Sequence, residues 1–467
     1  MSVQKVDVVI IGAGPAGIFA AMELSQKAPA CSVLLLDKGP DITERACPML
    51  SRKTQRCANC SPCLILSGWG GAGAFSDGKL TLTAEFGGFL TDYISSAELL
   101  RHIEYVDEAY RRFGATGKVY GTDEGRVKDL TRLAAMAGLR LLPGRIRHIG
   151  TEKCPEILRN MREYLEKRVE IRQRVSVTRI LSREDKVTGV VLSTGEQIHA
   201  KYVIAAPGRE GAEWFRSEAA RLGLTLVNNA VDIGVRVEIP AVVTEHIARD
   251  VYEPKLIYYS PSFDDAVRTF CFNPNGEVVT ENNAGLVTVN GHSYLDKPTK
   301  NTNFALLVSK TFTEPFKEPI AYGKYIASLA NMLGGGVIVQ RLGDLQSGRR
   351  STDKRLLKGM VEPTLKEATP GDLSLVLPYR HLIDILEMLE ALDKIAPGVN
   401  SKHTLLYGVE VKFYSSRPEV SKHLETKTKN LYAVGDGAGV TRSLAQASVS
   451  GVIAARSIAQ QMLEQTD

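Results

Sequence analysis

Residues Val8 to Ala21 read VVIIGAGPAGIFAA, and the fold is decided here. A β-branched run ends at Ile11, passes through Gly12-Ala-Gly14-Pro-Ala-Gly17, and continues as a helix-forming run to Leu24. That strand, glycine turn and helix is the context a dinucleotide fingerprint needs. Gly12 allows the tight turn, Gly14 lets the backbone approach a pyrophosphate, and Gly17 lets helix and strand pack closely. Pro15 and Ala16 open the helix, whose N-terminal amides and dipole favour phosphate. A second strand, residues 32–36, ends at Asp37, 20 residues beyond Gly17, with Lys38 beside it. At that spacing an acid reaches a ribose hydroxyl.

Two further segments belong with the first. An apolar run from Tyr202 ends in Ala206-Pro207-Gly208, preceded by two alternating strands that meet at Ser193-Thr-Gly195. Near the C-terminus, LYAVGDGAG places Gly435, Asp436 and Gly437 between a strand and a helix from about Leu444 to Leu463. Gly435 permits close approach, Asp436 can accept hydrogen bonds from ribityl hydroxyls, and the helix N-terminus suits a charge developing on a reduced flavin. Fingerprint, middle motif and Gly-Asp segment, in this order, resemble the FAD-binding domain of glutathione-reductase-like flavoproteins. That resemblance implies FAD as resident cofactor, with Val177 meeting the adenine through its backbone.

The loop Ser67-Gly-Trp-Gly-Gly-Ala-Gly-Ala-Phe-Ser76-Asp-Gly78-Lys79-Leu80 holds five glycines. Such density serves backbone proximity, not stability. Gly71, Ala72, Gly73, Ser76 and Gly78 are candidate lining for flavin or pyrophosphate, and Lys79 can favour an anionic reduced flavin by its charge. Together with the preceding cysteines, NGHSY at 290–294 and GDGAG at 435–439, this loop is similar to the family of uncharacterised FAD-dependent, or NAD(FAD)-utilising, dehydrogenases. The resemblance spans nearly the whole chain and implies redox chemistry without naming a substrate. The family pattern Cys-x-Cys-Pro-Gly-Gly reads here Cys271-Phe-Asn-Pro-Asn275-Gly276. Of its two cysteines only Cys271 is present, which argues against a paired-thiol role.

Cys47-Pro48 and Cys57-Ala-Asn-Cys60-Ser-Pro-Cys63 form a second chemical signal. Two CxxC steps sharing a cysteine suit a [4Fe–4S] cluster, although the Cys-Pro lies on the N-terminal side, the reverse of ferredoxin runs. Four thiolates also suit zinc, two suffice for a redox dithiol, and four inert thiols are the plainest alternative. With no second GxGxxG after a strand, NAD(P)H is expected only as a transient donor. Substrate-facing candidates, drawn from the insertion 215–424, are His292, Tyr294, Arg349, His381 and Arg417, with Arg236, Arg350 and Tyr379 behind them. Arginines could clamp a carboxylate and a His or Tyr could supply a proton.

The expected architecture is α/β: a discontinuous Rossmann-like FAD-binding domain (1–40, 165–214, 425–467) with an inserted, mostly antiparallel substrate or cap domain (215–424). Residues 41–164 carry the cysteines, the glycine loop and helices. The expected function is a FAD-dependent oxidoreductase moving hydride or electrons between flavin and a small organic substrate. Its rivals are a FAD/iron–sulfur protein serving a ferredoxin-like carrier, and a flavin-dependent RNA-modifying enzyme. The 467 residues are 44% hydrophobic and 24% charged, with net charge +5. That mild excess lacks the basic stripe nucleic acid would require. Seven cysteines fit a reducing, cytoplasmic compartment, and the glycine-broken apolar run at the start suits neither a signal peptide nor a membrane span.

Overall fold

The computed structural model describes residues 4–48, 51, 53, 58, 60–283, 285–293, 298–313, 315, 316 and 318–464. The fold is α/β, and the chain divides into two compact units. The first comprises residues 1–118, 147–229 and 415–467; the second comprises 119–146 and 230–414. The segment 41–164 thus stays with the first unit except for residues 119–146. Within that exception, strand Leu139–Leu142 pairs with Lys255–Tyr259, a partner more than a hundred residues away that no local pattern signals.

The first unit is built on a seven-stranded sheet. Strand Gln4–Ile11 lies parallel between Val33–Leu36 and Gln197–Ala205. Glu170–Arg172 extends the sheet beside Val33–Leu36, and Leu431–Ala433 joins parallel to the end of Gln197–Ala205. An antiparallel excursion, Val177–Arg183 and Lys186–Leu192, leads into Gln197–Ala205 through the turn at Gly195 (φ 83°). The continuous apolar run at the N-terminus follows from burial on both faces. Val8 and Ile10 face a core with helices Pro15–Lys27 and Leu444–Glu464, while Val9 and Ile11 face Phe215 and Ala219 of helix Ala212–Arg221. The helix Leu444–Glu464 is buried along most of its length because its small residues admit a close neighbour. A methyl at Gly451 would lie 2.0 Å from Ala16 O.

The second unit holds an eight-stranded sheet, antiparallel but for one pair. Its central strand, Val231–Pro240, sits between Leu405–Lys412 and Asn301–Lys310. Val231, Ile233, Val235, Val237 and Ile239 point into an apolar core with helix Tyr379–Asp393. Asp232, Arg236 and Glu238 take the opposite face and are buried too. A separate hairpin pairs Glu277–Asn283 with Leu286–His292. Among the described residues no helix is long and apolar enough to cross a membrane.

Candidate functional site

Four glycine-bearing segments of the first unit meet where its parallel strands end. Ile11 is level with Leu36 and with Ala205. Gly12 N donates to Leu36 O (2.7 Å), Ala206 N to Ile11 O (2.8 Å) and Val434 N to Ala205 O (3.0 Å). In open α/β sheets this carboxyl edge is where ligands bind.

The three fingerprint glycines differ in kind. Gly12 has φ 104°, and a methyl there would lie 2.1 Å from Ala206 O. A methyl at Gly17 would lie 1.8 Å from Gly12 O. Both are required by the chain itself. Gly14 is not: its backbone is extended (φ −78°, ψ −176°), and a methyl would meet only Gly71 Cα, at 3.9 Å. Gly14 also caps helix Pro15–Lys27 without any side-chain acceptor, so the first-turn amides keep an open approach. Gly208 has φ 64° and nothing within 4 Å of a methyl. Gly435 (φ 79°) approaches Ala16, and a methyl at Gly437 would lie 2.0 Å from Gly208 O. The fingerprint, the middle motif and the Gly-Asp segment therefore share one locus.

Asp37 is inward-turned. Its carboxylate accepts from Ala13 N (2.8 Å), Gly39 N (2.8 Å) and Gly68 N (2.9 Å), tying the first glycine turn to the second. Burial raises its pKa, and the three amides oppose that shift. Asp436 is half-buried, accepts from Thr441 Oγ1 (2.6 Å), and its pKa is likewise raised by burial.

The second glycine loop packs on the first. Gly70 N donates to Ala13 O (2.7 Å), and a methyl at Gly71 would lie 3.0 Å from Gly14 Cα. Gly71, Ala72 and Gly73 lie in the short 3-10 helix Gly71–Phe75; Gly73 faces Pro15 and Leu444, and Ser76 Oγ bonds back to Gly73 O (2.9 Å). Gly78 turns away, with Cys154 Sγ 2.9 Å from where its methyl would be. Lys79 is paired with Asp77 at 2.8 Å, which offsets much of the charge expected to act on a flavin. Val177 opens its strand opposite Leu192, at the far edge of the antiparallel excursion.

Two residues escaped the sequence reading. Arg45, 5% exposed, donates to Leu64 O (2.9 Å), Ile65 O (2.6 Å) and Trp69 O (2.6 Å), clasping the loop by its carbonyls. Burial pulls its pKa down to about 10, countered by Asp37. Glu210 accepts from the Ser67 hydroxyl and from Cys63 N (3.3 Å) and pairs with Lys38 (3.5 Å). No residue pattern near either position signals these contacts.

Cys47, Cys60 and Cys63 are free thiols, and Cys57 lies outside the described residues. Among the described residues no three His, Cys, Asp or Glu side chains are grouped to hold a metal ion. The substrate-facing candidates are dispersed. His292 ends the hairpin strand Leu286–His292, and Tyr294 lies outside the described residues. Arg349 pairs with Asp344 (3.1 Å). Arg417 belongs to the first unit rather than the second, bonded to Asp92 (2.7 Å) and stacked on Phe89.

His381, 3% exposed, has no hydrogen-bond partner at either ring nitrogen among the described residues, and burial first, then Lys310, pushes its pKa down to about 4. One turn on, Asp384 is pushed up to about 6 by burial and by the Asp265 carboxylate. A carboxyl raised in the folded state loses stability as pH rises from its unfolded value near 4 through 6. Asp384→Asn should therefore leave the thermal midpoint near pH 4 little changed and raise it above pH 6. An unchanged midpoint at pH 7.5 would contradict this assignment. His381 has the opposite sign, its penalty growing as pH falls from about 6.5 towards 4.

Residues 231–413 match the family described as FAD-dependent protein, C-terminal domain-like. An uncharacterised protein of Clostridium beijerinckii is 26% identical over 488 aligned positions, covering 98% of this chain and 81% of the relative. Among solved structures, L-proline dehydrogenase from P. horikoshii is similar over 98% of this chain and 95% of its own, at 12% identity and a TM-score of 0.44. Glycine oxidase from Geobacillus kaustophilus is similar over 99% and 94%, at 12% identity and a TM-score of 0.38.

Proposed function

We propose that this chain is a FAD-dependent oxidoreductase acting on a small organic substrate. The observation that carries the reading is Gly14. It is a glycine whose own backbone needs none, placed before an uncapped helix start with open space where a side chain would project. A pyrophosphate approaching first-turn amides accounts for such a residue. The match of residues 231–413 to a FAD-dependent family supports the choice of cofactor.

The residues present fit that group. The backbone amides of Gly14 and Ala16 would hold the pyrophosphate, with Pro15 starting the helix between them and Gly71 closing beside it. Asp436 keeps acceptor capacity beyond its bond from Thr441 and would take hydroxyl donors of the ribityl chain. Asp37 and Arg45 hold the two glycine loops in place from behind, one by amides and the other by carbonyls. A bound flavin supplies hydride or electron transfer; the chain supplies the cradle and the exclusion of water.

The test is the visible spectrum of the purified protein, with the released cofactor identified by chromatography. Flavin bands and FAD on release are expected. A colourless protein that takes up no FAD when it is added in excess would end this reading. Iron and zinc analysis of the same sample reads the four cysteines.

A further inference from the structure

The polar face of the second unit's sheet buries charge that ordinarily stays in water. Arg236 is 0% exposed and holds Glu410, also 0%, by two bonds of 2.7 Å. Three more cations gather at one half-buried ring. Lys255 Nζ lies 4.6 Å, Arg268 Cζ 5.0 Å and Lys412 Nζ 5.9 Å from the centroid of Phe270. Buried ion pairs rarely repay their desolvation as stability. Two buried and two partly buried cations on one sheet face therefore point to use.

The acids paired with them lie mostly deeper. Asp232 (1%) holds Arg268 (17%), and Glu410 (0%) lies 3.1 Å from Lys412 (11%), so cationic ends are met first from outside. Glu281, 3.4 Å from Lys412, and Glu253, 3.8 Å from Lys255, are the acids nearer the rim. Burial pulls Lys255 down to about 8, and Arg268 adds to that shift against Glu253.

The backbone there is shaped as well. Strand Ala266–Asn273 bulges between Phe270 and Asn273, and Cys271 within the bulge takes φ 47°. Bulges of this kind re-aim side chains beside sites. Arg236 Nη1 (3.1 Å) and Asn273 Nδ2 (3.0 Å) hold the Cys271 carbonyl in that pose. Asn303, 0% exposed, accepts from Arg236 (2.8 Å) yet keeps its own Nδ2 without an acceptor among the described residues. A buried donor of this kind calls for an oxygen.

We propose that this cluster binds a carboxylate-bearing organic ligand, laid on Phe270 with its carboxylate among Lys255, Arg268 and Lys412. Its identification as the substrate rests on the flavoenzyme reading above; the site itself does not.

Cys271 is a built-in reporter. The purified protein is treated in parallel with iodoacetate, an anion, and iodoacetamide, its neutral analogue, and labelling at Cys271 is followed by peptide mass spectrometry. The iodoacetate-to-iodoacetamide rate ratio at Cys271 should exceed that of N-acetylcysteinamide by about tenfold, and should fall as salt is raised. Lys255→Met should bring it down towards the reference. Benzoate should protect Cys271 where benzamide does not, a readout that needs no variant to fold. A ratio at or below the reference, equal protection by both compounds, or no labelling by either reagent would overturn the proposal. The flavin spectrum separates the two readings. Colourless protein with selective labelling keeps the site and removes the flavoenzyme; yellow protein with unselective labelling does the reverse.

Discussion

Gly14→Val is expected to fold as the parent does and to purify without flavin. The expectation rests on the contrast among the three fingerprint glycines. At Gly14 the backbone is one any residue adopts, and the nearest atom to a new methyl is 3.9 Å away. Valine thus costs the polypeptide little, but its methyls occupy the approach to the first-turn amides. Losing two or three charge-assisted amide bonds to a pyrophosphate, at about 1.5 kcal/mol each or more, weakens binding by at least about a hundredfold. Gly12→Val is expected to fail differently. Its φ of 104° and the carbonyl of Ala206, 2.1 Å from the new methyl, force the turn itself to move. The measurement is FAD content per chain beside the thermal midpoint, with flavin-stripped parent as reference, because a bound cofactor itself raises the midpoint. Gly14→Val should match the stripped parent, and Gly12→Val should melt well below it or be insoluble. A Gly14→Val protein carrying FAD at parental stoichiometry would place the pyrophosphate elsewhere.

The difference between Gly14 and its neighbours was not visible in the sequence, where all three stand in one motif. The motif itself was legible because strand, turn and helix are adjacent in the chain and each glycine has a local reason. The same holds for Gly435 to Gly437. Asp37 was legible as an acid at a given spacing, but not as a brace, because one of its donors is Gly68, on a loop that folds back over the first turn. Arg45 was invisible for the same reason: its acceptors are three backbone carbonyls, which carry no side-chain signature. Arg417 falls inside the expected inserted domain (215–424) since no composition shift marks residue 415, where the chain re-enters the first unit. The run from Val231 to Ile239 alternates apolar residues with Asp232, Gly234, Arg236 and Glu238. In the structure both faces are dry, because Arg236, Glu238 and their partners satisfy one another.

Arg236→Met is expected to cost about 3 to 5 kcal/mol of stability, the loss typical of removing one partner from a buried pair. The reason is what remains. Glu410 keeps Lys412 at 3.1 Å but loses two bonds of 2.7 Å in a place water does not reach, and the Cys271 carbonyl and Asn303 each lose a donor. Adding Glu410→Leu removes the stranded charge, so the double variant should be more stable than Arg236→Met alone, with a coupling of roughly 2 kcal/mol in a double-mutant cycle. Denaturant unfolding of the parent, both single variants and the double variant measures it; strict additivity would mean the pair is not the unit the geometry describes. The cycle also bears on why the charges are there. A double variant that recovers stability but loses the preference of Cys271 for iodoacetate would show that the network holds positive charge at Phe270 for a ligand. One that recovers stability and keeps that preference would leave Lys255, Arg268 and Lys412 to supply it, with Arg236 serving only to hold the bulge at Cys271.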